Sequence, residues 1–493
     1  MPRKEKLFIG VLLVFLLVST VFFGSRKLDY MIDEVWTFGL ANHVGGITPS
    51  IEYGKVYSGM GIYDDYMKVN TGERFNYINV WENQANDVHP PLYYVLVHTI
   101  CSLFPDTYTM WYGIAVNLIM MVFIIIFLYK LAKELTGDVT QAIGIVLAYS
   151  TSVAFFDTIL FIRMYAMFTV FAILISYLLK IYWDKDLDRK FYILLSLTII
   201  LGMLTHYYYL IFTFFICTAF ALHLYLGKRY KELKKCILVA MLDGVLYLLI
   251  WYHIAGHLFR GQRGKEAIES ALSFGGLFKK VLAVLNNING DTFLRMTWIL
   301  IALMIVLAVN RVAKKEFRFT YKVALFVSAC LYTIVVCKIA PYTDLRYVMS
   351  VIFVYYIMAF TVLKICLEKF LTKINISRLI IVLLLMINLE NIISRDFYIP
   401  KDYYSDERLE LFDQLEKKTC VVYISEGWEA LYFFVPLQHV DSYMFVNKEN
   451  IDEINQIHGE YVLATTINHM EEVTDYVGDE SVKYSGLIYY FVK

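Results

Sequence analysis

The chain alternates long apolar runs with short polar turns from its first residues to about residue 393. Spanning the hydrocarbon core of a bilayer takes about 20 apolar residues in a helix, and slightly shorter runs also serve. The pattern therefore predicts an all-α polytopic membrane protein with about eleven transmembrane helices. The runs are 7–23, 108–128, 141–156, 165–182, 191–204, 209–226, 236–251, 293–309, 324–339, 347–363 and 379–393.

One further apolar run, 90–104, opens with two prolines and is followed by Pro105. A run of about 15 residues is more often interfacial or re-entrant than spanning. If it does not cross, lysine and arginine concentrate in alternate turns, and the opposite short turns hold only Arg163 and Arg346. This is the positive-inside pattern. It predicts a cytoplasmic N-terminus, with run 7–23 retained as a helix and no signal-peptide cleavage.

Three hydrophilic stretches, 24–86, 252–292 and 395–493, fall on the predicted outer side. We expect a transmembrane domain at 1–394, with outer loops 24–107 and 252–292 that contain interfacial helices. In the tail, 395–493, an acidic helix-like segment precedes short runs rich in β-formers. Strands that alternate with helical segments predict a small extracytoplasmic α/β domain. The helix-like segment is 405–418, and the strand-like runs are 420–425, 461–466 and 487–492.

Composition supports a membrane protein and excludes some functions. Hydrophobic residues make up 59% of the chain and charged residues 18%, against about 25% charged in soluble proteins. The formal net charge is zero, so no global field favours nucleic acid as a partner. The seven cysteines are scattered without a C-x-x-C motif, which argues against a disulfide framework or a zinc site.

Two groups of carboxylates are candidates for catalysis. Asp33 and Glu34 follow the first apolar run directly, and Asp157 precedes Arg163 by six residues. Carboxylates at a membrane boundary are costly unless hydrated or paired. Here they could accept a proton from a hydroxyl group or bind a divalent cation. The alternatives are a hydrated loop start for the adjacent pair and a structural ion pair between Asp157 and Arg163.

Basic and aromatic candidates lie at the predicted outer ends of helices. An arginine on the side poor in basic residues is a candidate functional residue, and arginine suits bidentate phosphate binding. Histidines are more often structural, and interfacial tyrosines are common anchors. The D-x-D spacing of 184–188 lies in a predicted cytosolic turn and is interpreted as solvated. The candidates are His89, Arg163, Tyr165, His206, Tyr207, Arg346 and Tyr347.

The sidedness of these residues is more informative than any single motif. Carboxylates and cations on one outer face suit group transfer from a phosphate-bearing lipid, because a carboxylate accepts the proton and cations stabilise the departing phosphate. A divalent cation is possible, and Glu34, His89 and His206 are its candidate ligands. The residues do not require any other cofactor.

The motifs resemble those of the GT-C glycosyltransferases, specifically the bacterial relatives of protein O-mannosyltransferases and of aminoarabinose transferases (glycosyltransferase family 39-like). The resemblance covers roughly residues 1–350. It rests on Asp33-Glu34, His89-Pro90-Pro91-Leu92-Tyr93-Tyr94, Arg163-Met164-Tyr165, His206-Tyr207-Tyr208 and Arg346-Tyr347.

The resemblance implies a polyprenyl-phosphate-linked sugar donor and a lipid, glycan or protein acceptor, with inverting transfer outside the cytosol at the plasma membrane. It implies that Asp33 is the base, and that Arg163, His206 and Arg346 lie near the donor phosphate. Two positions depart from the family pattern. Many relatives carry an acidic residue where this chain has Phe161, and Asp157 could take that role. Other relatives carry a lysine before the two prolines, where this chain has His89.

Two other functions remain open. A polysaccharide polymerase or ligase is also polytopic with external arginines and histidines, but it gives no reason for Asp33-Glu34 directly after the first helix. A lipid or polysaccharide transporter often shows internal repeats and charges near the middle of the membrane, and the sequence shows neither.

Overall fold

The computed structural model describes residues 2–273, 275–293, 296–316, 318–371, 374–399, 406–457, 459–477 and 480–492. The chain forms two compact units. The first, which we call the helical unit, comprises Met1–Ser25, Asp87–Tyr93 and Ile114–Ile399. The second, which we call the mixed unit, comprises Arg26–Asn86, Tyr94–Gly113 and Pro400–Lys493.

Helices account for most of the described residues, and each of the eleven predicted runs coincides with one or two of them. In chain order they are α1 (Arg3–Gly24), α2 (Ile32–Asn42), α3 (Tyr63–Met67), α4 (Tyr77–Asn86), α5 (Leu92–Leu103), α6 (Met110–Thr136), α7 (Val139–Ser150), α8 (Val153–Leu160), α9 (Tyr165–Ile181), α10 (Arg189–Met203), α11 (Tyr208–Leu226), α12 (Tyr230–Ile250), α13 (Ile254–Phe259), α14 (Gln262–Leu272), α15 (Leu277–Asp291), α16 (Thr297–Ala313), α17 (Tyr321–Ile339), α18 (Ile352–Leu367), α19 (Ile376–Ile393) and α20 (Asp406–Leu415).

The polytopic all-α class is confirmed, whereas the count of eleven spans stays a prediction. Within the described ranges, six helices are long and apolar enough to cross a membrane: α1, α6, α11, α17, α19 and the segment Met349–Leu367 that contains α18. The pair α7 and α8, bent by 60°, gives a seventh candidate. Helix α5 has 12 residues, which extend about 18 Å against a core of about 30 Å. It is therefore too short to cross, as the proline-bounded run predicts.

The bend between α7 and α8 is built into the sequence. Ser152 caps α8 by accepting a hydrogen bond from the Phe155 amide at 3.2 Å. Asn388 of α19 donates to the Ala148 carbonyl at 2.6 Å and to the Thr151 hydroxyl at 2.9 Å. The backbone groups left without helical partners at a break must be satisfied by such side chains. The break in this apolar run is therefore a stable feature of the helical unit.

The mixed unit contains a six-stranded sheet, counted over the described residues. Its strands are β1 (Val56–Tyr57), β2 (Thr419–Tyr423), β3 (Ser442–Val446), β4 (Tyr461–Thr466), β5 (Glu480–Tyr484) and β6 (Leu487–Val492), in the order β1-β3-β2-β4-β6-β5. The central strands β3, β2 and β4 are parallel, and the other pairings are antiparallel. The predicted runs 461–466 and 487–492 coincide with β4 and β6, and run 420–425 overlaps β2. Strands β1, β3 and β5 were not predicted.

The loop after α1 and the tail fold together. Strand β1 pairs with β3 through Val56 opposite Met444 and Tyr57 opposite Tyr443. The buried Tyr63 hydroxyl donates to the Ala430 carbonyl at 2.6 Å. The predicted domain boundary at 394–395 lies close to the change of unit at 399–400, but the loop placed in the predicted transmembrane domain groups with the tail.

Candidate functional site

The candidate site of the helical unit contains a chain of three side chains: Asp87, His89 and Arg163. His89 Nδ1 lies 2.9 Å from Asp87 Oδ2, and His89 Nε2 lies 3.3 Å from Arg163 Nη2. An ionised carboxylate only accepts hydrogen bonds and a guanidinium only donates them. His89 must therefore donate from Nδ1 and accept at Nε2. The contacts assign it a neutral imidazole with the proton on Nδ1.

Asp87 is ionised in this arrangement. Burial by itself raises the pKa of the Asp87 carboxyl, but the hydrogen bond from His89, the Val88 amide and the charge of Arg163 together lower that pKa below its usual value. An anionic Asp87 favours the Nδ1–H tautomer of His89, because the partner of one ring nitrogen fixes the state of the other. Asp87 therefore orients the ring that contacts Arg163.

The two prolines after His89 hold it against the end of α10. Proline has no amide hydrogen, so Leu92 supplies the first donor after Pro90 and Pro91. The Leu92 amide donates to the Leu204 carbonyl at 3.0 Å. The rings of His89 and His206 consequently lie 5.9 Å apart, centroid to centroid. The structure thus brings together two histidines that the sequence separates by more than a hundred positions.

Arg163 is presented by the turn between α8 and α9, where it is buried. Asn117 of α6 donates to the Ile159 carbonyl at 3.0 Å and to the Phe161 carbonyl at 2.8 Å. The Tyr93 hydroxyl in turn donates to Asn117 Oδ1 at 3.1 Å. Asn117 therefore satisfies carbonyl groups at the end of α8. Asn117 was not among the predicted site residues, although a polar side chain inside an apolar run is itself a signal.

His206 is a second neutral imidazole in the site. The Tyr208 amide donates to His206 Nδ1 at 3.0 Å, so the ring proton lies on Nε2. Burial lowers the pKa of His206 well below its usual value, and the charge of Arg163 acts in the same direction. The Tyr165 ring packs against it at 5.6 Å. His206 is therefore an N–H donor without a full charge.

Tyr207 connects this turn to the segment 251–257. Its hydroxyl accepts a hydrogen bond from Trp251 Nε1 at 2.8 Å and lies 2.7 Å from His257 Nδ1. The direction of the hydrogen bond between Tyr207 and His257 depends on the tautomer of His257. These contacts fix the start of α11 relative to α13. Trp251 and His257 were not among the predicted site residues.

Arg346 provides a second cation beside the same turn. Its Nε lies 3.2 Å from Asp344 Oδ2. Its Nη2 donates to the Tyr347 hydroxyl at 3.2 Å, and the guanidinium lies 5.0 Å from the Tyr347 ring centroid. The Tyr347 ring in turn lies 6.0 Å from Tyr208. Residues near 163, 206 and 346 therefore meet within the helical unit.

The two adjacent carboxylates of the mixed unit have different surroundings. Glu34 is buried and accepts hydrogen bonds from Lys27 Nζ and, at 2.9 Å, from the Met31 amide. The side chains of Lys27 and Glu34 have no exposed surface. Asp33 lies in the first turn of α2 and is partly exposed. Successive side chains on a helix diverge, so the side chains of Asp33 and Glu34 point in different directions.

The remaining carboxylate candidate, Asp157, lies on α8 in the helical unit, and its backbone carbonyl accepts from the Phe161 amide at 3.0 Å. Among the residues that the structure describes, no three His, Cys, Asp or Glu side chains form a group that could hold a metal ion. The possible divalent cation stays a prediction.

Comparison with known proteins identifies the fold. Residues 88–235 match the family model of dolichyl-phosphate-mannose-protein mannosyltransferase, a segment that includes His89, Arg163 and His206. ArnT from Cupriavidus metallidurans bound to undecaprenyl phosphate has a TM-score of 0.56 and 10% identity, covering 99% of this chain and 98% of that chain. Its apo form has a TM-score of 0.55 and 11% identity, covering 99% and 97%.

The archaeal oligosaccharyltransferase AglB from Archaeoglobus fulgidus has a TM-score of 0.41 and 12% identity, covering 93% of this chain and 70% of that one. No curated protein sequence matches the chain. The chain is therefore a polytopic membrane protein with the GT-C fold. The resemblance to the relatives of protein O-mannosyltransferases and aminoarabinose transferases is confirmed.

Proposed function

We propose that this protein transfers a sugar from a polyprenyl-phosphate-linked donor to an acceptor hydroxyl, with inversion at the sugar carbon. The observation that carries the proposal is the Asp87–His89–Arg163 arrangement. It occurs in a fold shared with an ArnT that was solved with undecaprenyl phosphate. A buried, oriented guanidinium is suited to phosphate oxygens because its N–H groups match their geometry and charge.

The residues of the helical unit are assigned to the donor. When the bond between the sugar carbon and the phosphate oxygen breaks, the leaving polyprenyl phosphate keeps the electron pair and gains one negative charge. Arg163 and Arg346 stabilise that charge electrostatically. His206 donates one further hydrogen bond from Nε2. His89 orients Arg163, and Tyr165, Tyr207 and Tyr347 hold the turns on which these groups lie.

The acceptor side of the reaction is assigned to Asp33. As the acceptor oxygen forms its bond to the sugar carbon, its proton passes to a carboxylate, which is general-base catalysis. Glu34 contacts Lys27 and the Met31 amide, and it is assigned a structural role. Attack opposite the leaving phosphate inverts the configuration. Asp157 is the remaining candidate for a second acidic role.

Transfer by purified protein tests this function. Protein in lipid nanodiscs is incubated with polyprenyl-phosphate donors that carry different labelled sugars and with lipid, glycan and peptide acceptors. We expect label on an acceptor together with an equal amount of released polyprenyl phosphate. Movement of intact donor across vesicles without cleavage would instead support a transporter. Transfer only of preassembled oligosaccharides would support a polymerase or ligase.

We also propose that the protein lies in the plasma membrane with its N-terminus in the cytoplasm and its C-terminal domain outside. The charge pattern of the turns supports this orientation. Asp186→Cys and Glu449→Cys place probes at exposed positions in the turn 184–188 and in the tail. In intact cells, an impermeant maleimide should label the second variant above the background of the native cysteines and spare the first. The reverse result would overturn the orientation.

A further inference from the structure

Two tryptophans meet in the mixed unit one helical turn from the proposed base. Trp36 follows Asp33 by three positions on α2, so the two side chains share a face. Trp428 lies in the 3₁₀ segment Gly427–Phe433 of the tail. The two indole rings lie 6.4 Å apart at 30°, and Tyr432 lies 6.0 Å from Trp428. We refer to Trp36, Trp428 and Tyr432 as the aromatic platform.

The aromatic platform combines accessible ring surface with an unused hydrogen-bond donor. The exposed fractions of Trp428 and Tyr432 are 36% and 38%. The indole nitrogen of Trp36 is buried and meets no acceptor among the described residues. Leaving a buried donor unpaired costs about 1–3 kcal/mol. A bound group that supplies an oxygen to Trp36 Nε1 would recover this energy.

Polar groups border the aromatic platform on the side of the tail. Glu426, two residues before Trp428, is exposed. Thr48 and Ile51 lie 3.9 Å from the Cβ position of Gly427, so the loop after α2 approaches the same segment. Binding sites for small polar ligands typically combine aromatic walls with a few placed polar groups. The platform therefore has both the rings and the polar rim of such a site.

The ligand chemistry that fits is a sugar ring. A pyranose has apolar C–H faces that stack on aromatic rings, and a rim of hydroxyl groups that accept from an indole N–H and donate to a carboxylate. An acyl chain would leave Trp36 Nε1 without a partner. On α2, three residues correspond to a rise of about 4.5 Å, roughly the depth of one sugar ring, so a sugar on the platform would present a hydroxyl towards Asp33.

We propose that the aromatic platform binds a sugar ring of the acceptor, so that the substrate that receives the transferred sugar is itself a saccharide or carries one. The inference rests on the proposed function, because it takes Asp33 as the base. The tail would then contribute to acceptor binding through Trp428.

Kinetics of Trp428 variants test the inference. Trp428→Ala should raise the KM for a saccharide acceptor by about 3- to 10-fold, the value of one aromatic contact. The turnover number and the KM for the donor should stay the same, and Trp428→Phe should recover most of the loss. Trp298→Ala is the matched control, because Trp298 of α16 is similarly exposed at 40%. An unchanged acceptor KM in Trp428→Ala would overturn the inference and leave the proposed function intact.

Binding without donor separates the two proposals. Saccharides should change the tryptophan fluorescence of the wild-type protein and of Trp298→Ala, and should have a reduced effect on Trp428→Ala. If saccharides change the fluorescence in this way but no sugar transfer is detected, saccharide binding at the aromatic platform is supported and the proposed function is wrong. If sugar-free peptides or lipids are accepted as efficiently as saccharides, the acceptor class proposed here is wrong.

Discussion

Lys27 and Arg163 are both buried cations, but the structure connects them to carboxylates in different ways. In the mixed unit, Lys27 contacts Glu34 directly, and neither side chain is exposed. In the helical unit, the His89 ring lies between Asp87 and Arg163. Coulombic attraction falls with distance, so Asp87 offsets less of the charge on Arg163 than Glu34 offsets on Lys27.

The difference separates a structural role from a binding role. A direct buried pair neutralises its charges at the point of contact, and removing one member leaves an uncompensated buried charge. A carboxylate that reaches a cation through a neutral imidazole orients that cation without neutralising it at the point of contact. Such a cation is suited to an incoming anion. The same reasoning applies to Arg408, whose fully buried side chain contacts Asp29 within the mixed unit.

The largest expected effects distinguish the adjacent carboxylates Asp33 and Glu34. Asp33→Asn keeps the size of the side chain but removes its basicity. Turnover should fall by at least about 10²-fold while donor binding persists, because general-base catalysis typically contributes about 10²–10⁴-fold. Glu34→Gln should mainly destabilise the protein, by about 3–5 kcal/mol, because it removes the charged member of a buried ion pair. Single-turnover transfer, donor binding and thermal unfolding measure the three quantities.

Each outcome of that experiment has a definite meaning. If Asp33→Asn keeps near-wild-type turnover and a folded Glu34→Gln is inactive, the roles of the two carboxylates are exchanged. If both variants stay active, neither residue is the base. If Glu34→Gln is as stable as wild type, the direct Lys27–Glu34 pair does not have the structural role that distinguishes it from the Asp87–His89–Arg163 arrangement.

The next effect concerns the cations assigned to the donor phosphate. Arg163→Ala and Arg346→Ala should each weaken donor use by about 1.5–3 kcal/mol in kcat/KM, the range for hydrogen bonds to charged groups. Arg318→Ala is a control at an exposed position and should leave donor use unchanged. Folded Arg163 and Arg346 variants with normal donor affinity and turnover would return both residues to structural roles.

Much of the fold could be predicted because periodicity and composition are local signals. All eleven apolar runs overlap helices, and β4 and β6 begin and end at the predicted residues. Strand β1 has only two residues, and its pairing with β3 joins positions almost 390 residues apart. No local pattern encodes such a contact. For the same reason the sequence could not show that the loop after α1 folds with the tail.

The candidate site was predictable in type but not in arrangement. The charge pattern identified Arg163 and Arg346 because arginine is unusual in those turns. It could not show that His89 contacts Arg163, since the two are 74 residues apart. Asp87 precedes the proline motif that drew attention to His89, but its orienting role follows only from the 2.9 Å contact. No pattern in the sequence identified Lys27 as the partner of Glu34.

A smaller effect is expected at His89, where two substitutions distinguish orientation from direct phosphate binding. His89→Gln can still accept from Arg163 and donate to Asp87, so donor use should fall by only about 1 kcal/mol, the net value of a hydrogen bond. His89→Lys has no acceptor for Arg163 and places a like charge beside it, so the loss should be larger. The kcat/KM for the donor measures both. If His89→Lys is the more active variant, His89 binds phosphate directly and the relay interpretation is wrong.

The smallest effect is a pH dependence in the mixed unit, beside the direct pair of Arg408 and Asp29. The His439 ring stacks on Phe412 at 4.0 Å, and the Arg408 guanidinium lies 4.7 Å from the same ring. Burial, followed by the charge of Arg408, lowers the pKa of His439, and Asp413 opposes this shift. The folded state therefore binds fewer protons at this site than the unfolded state, whose histidine pKa is about 6.5.

The sign of the effect follows from proton linkage. The stability associated with neutral His439 is fully present above pH ~6.5 and is lost as the pH falls through the lower pKa of the folded state. Hydrogen exchange of α20, corrected for its intrinsic pH dependence, should therefore be faster at about pH 5.5 than at about pH 7.5. The effect should be small, because His439 is partly exposed and solvent screens its charge. His439→Gln should remove the pH-dependent part of the exchange rate while Arg408 keeps its contact with Asp29.

Stronger protection of α20 in acid would show that Asp413, rather than Arg408, determines the charge state of His439. The mixed unit would then stabilise a cation there through a carboxylate, as it does at Lys27.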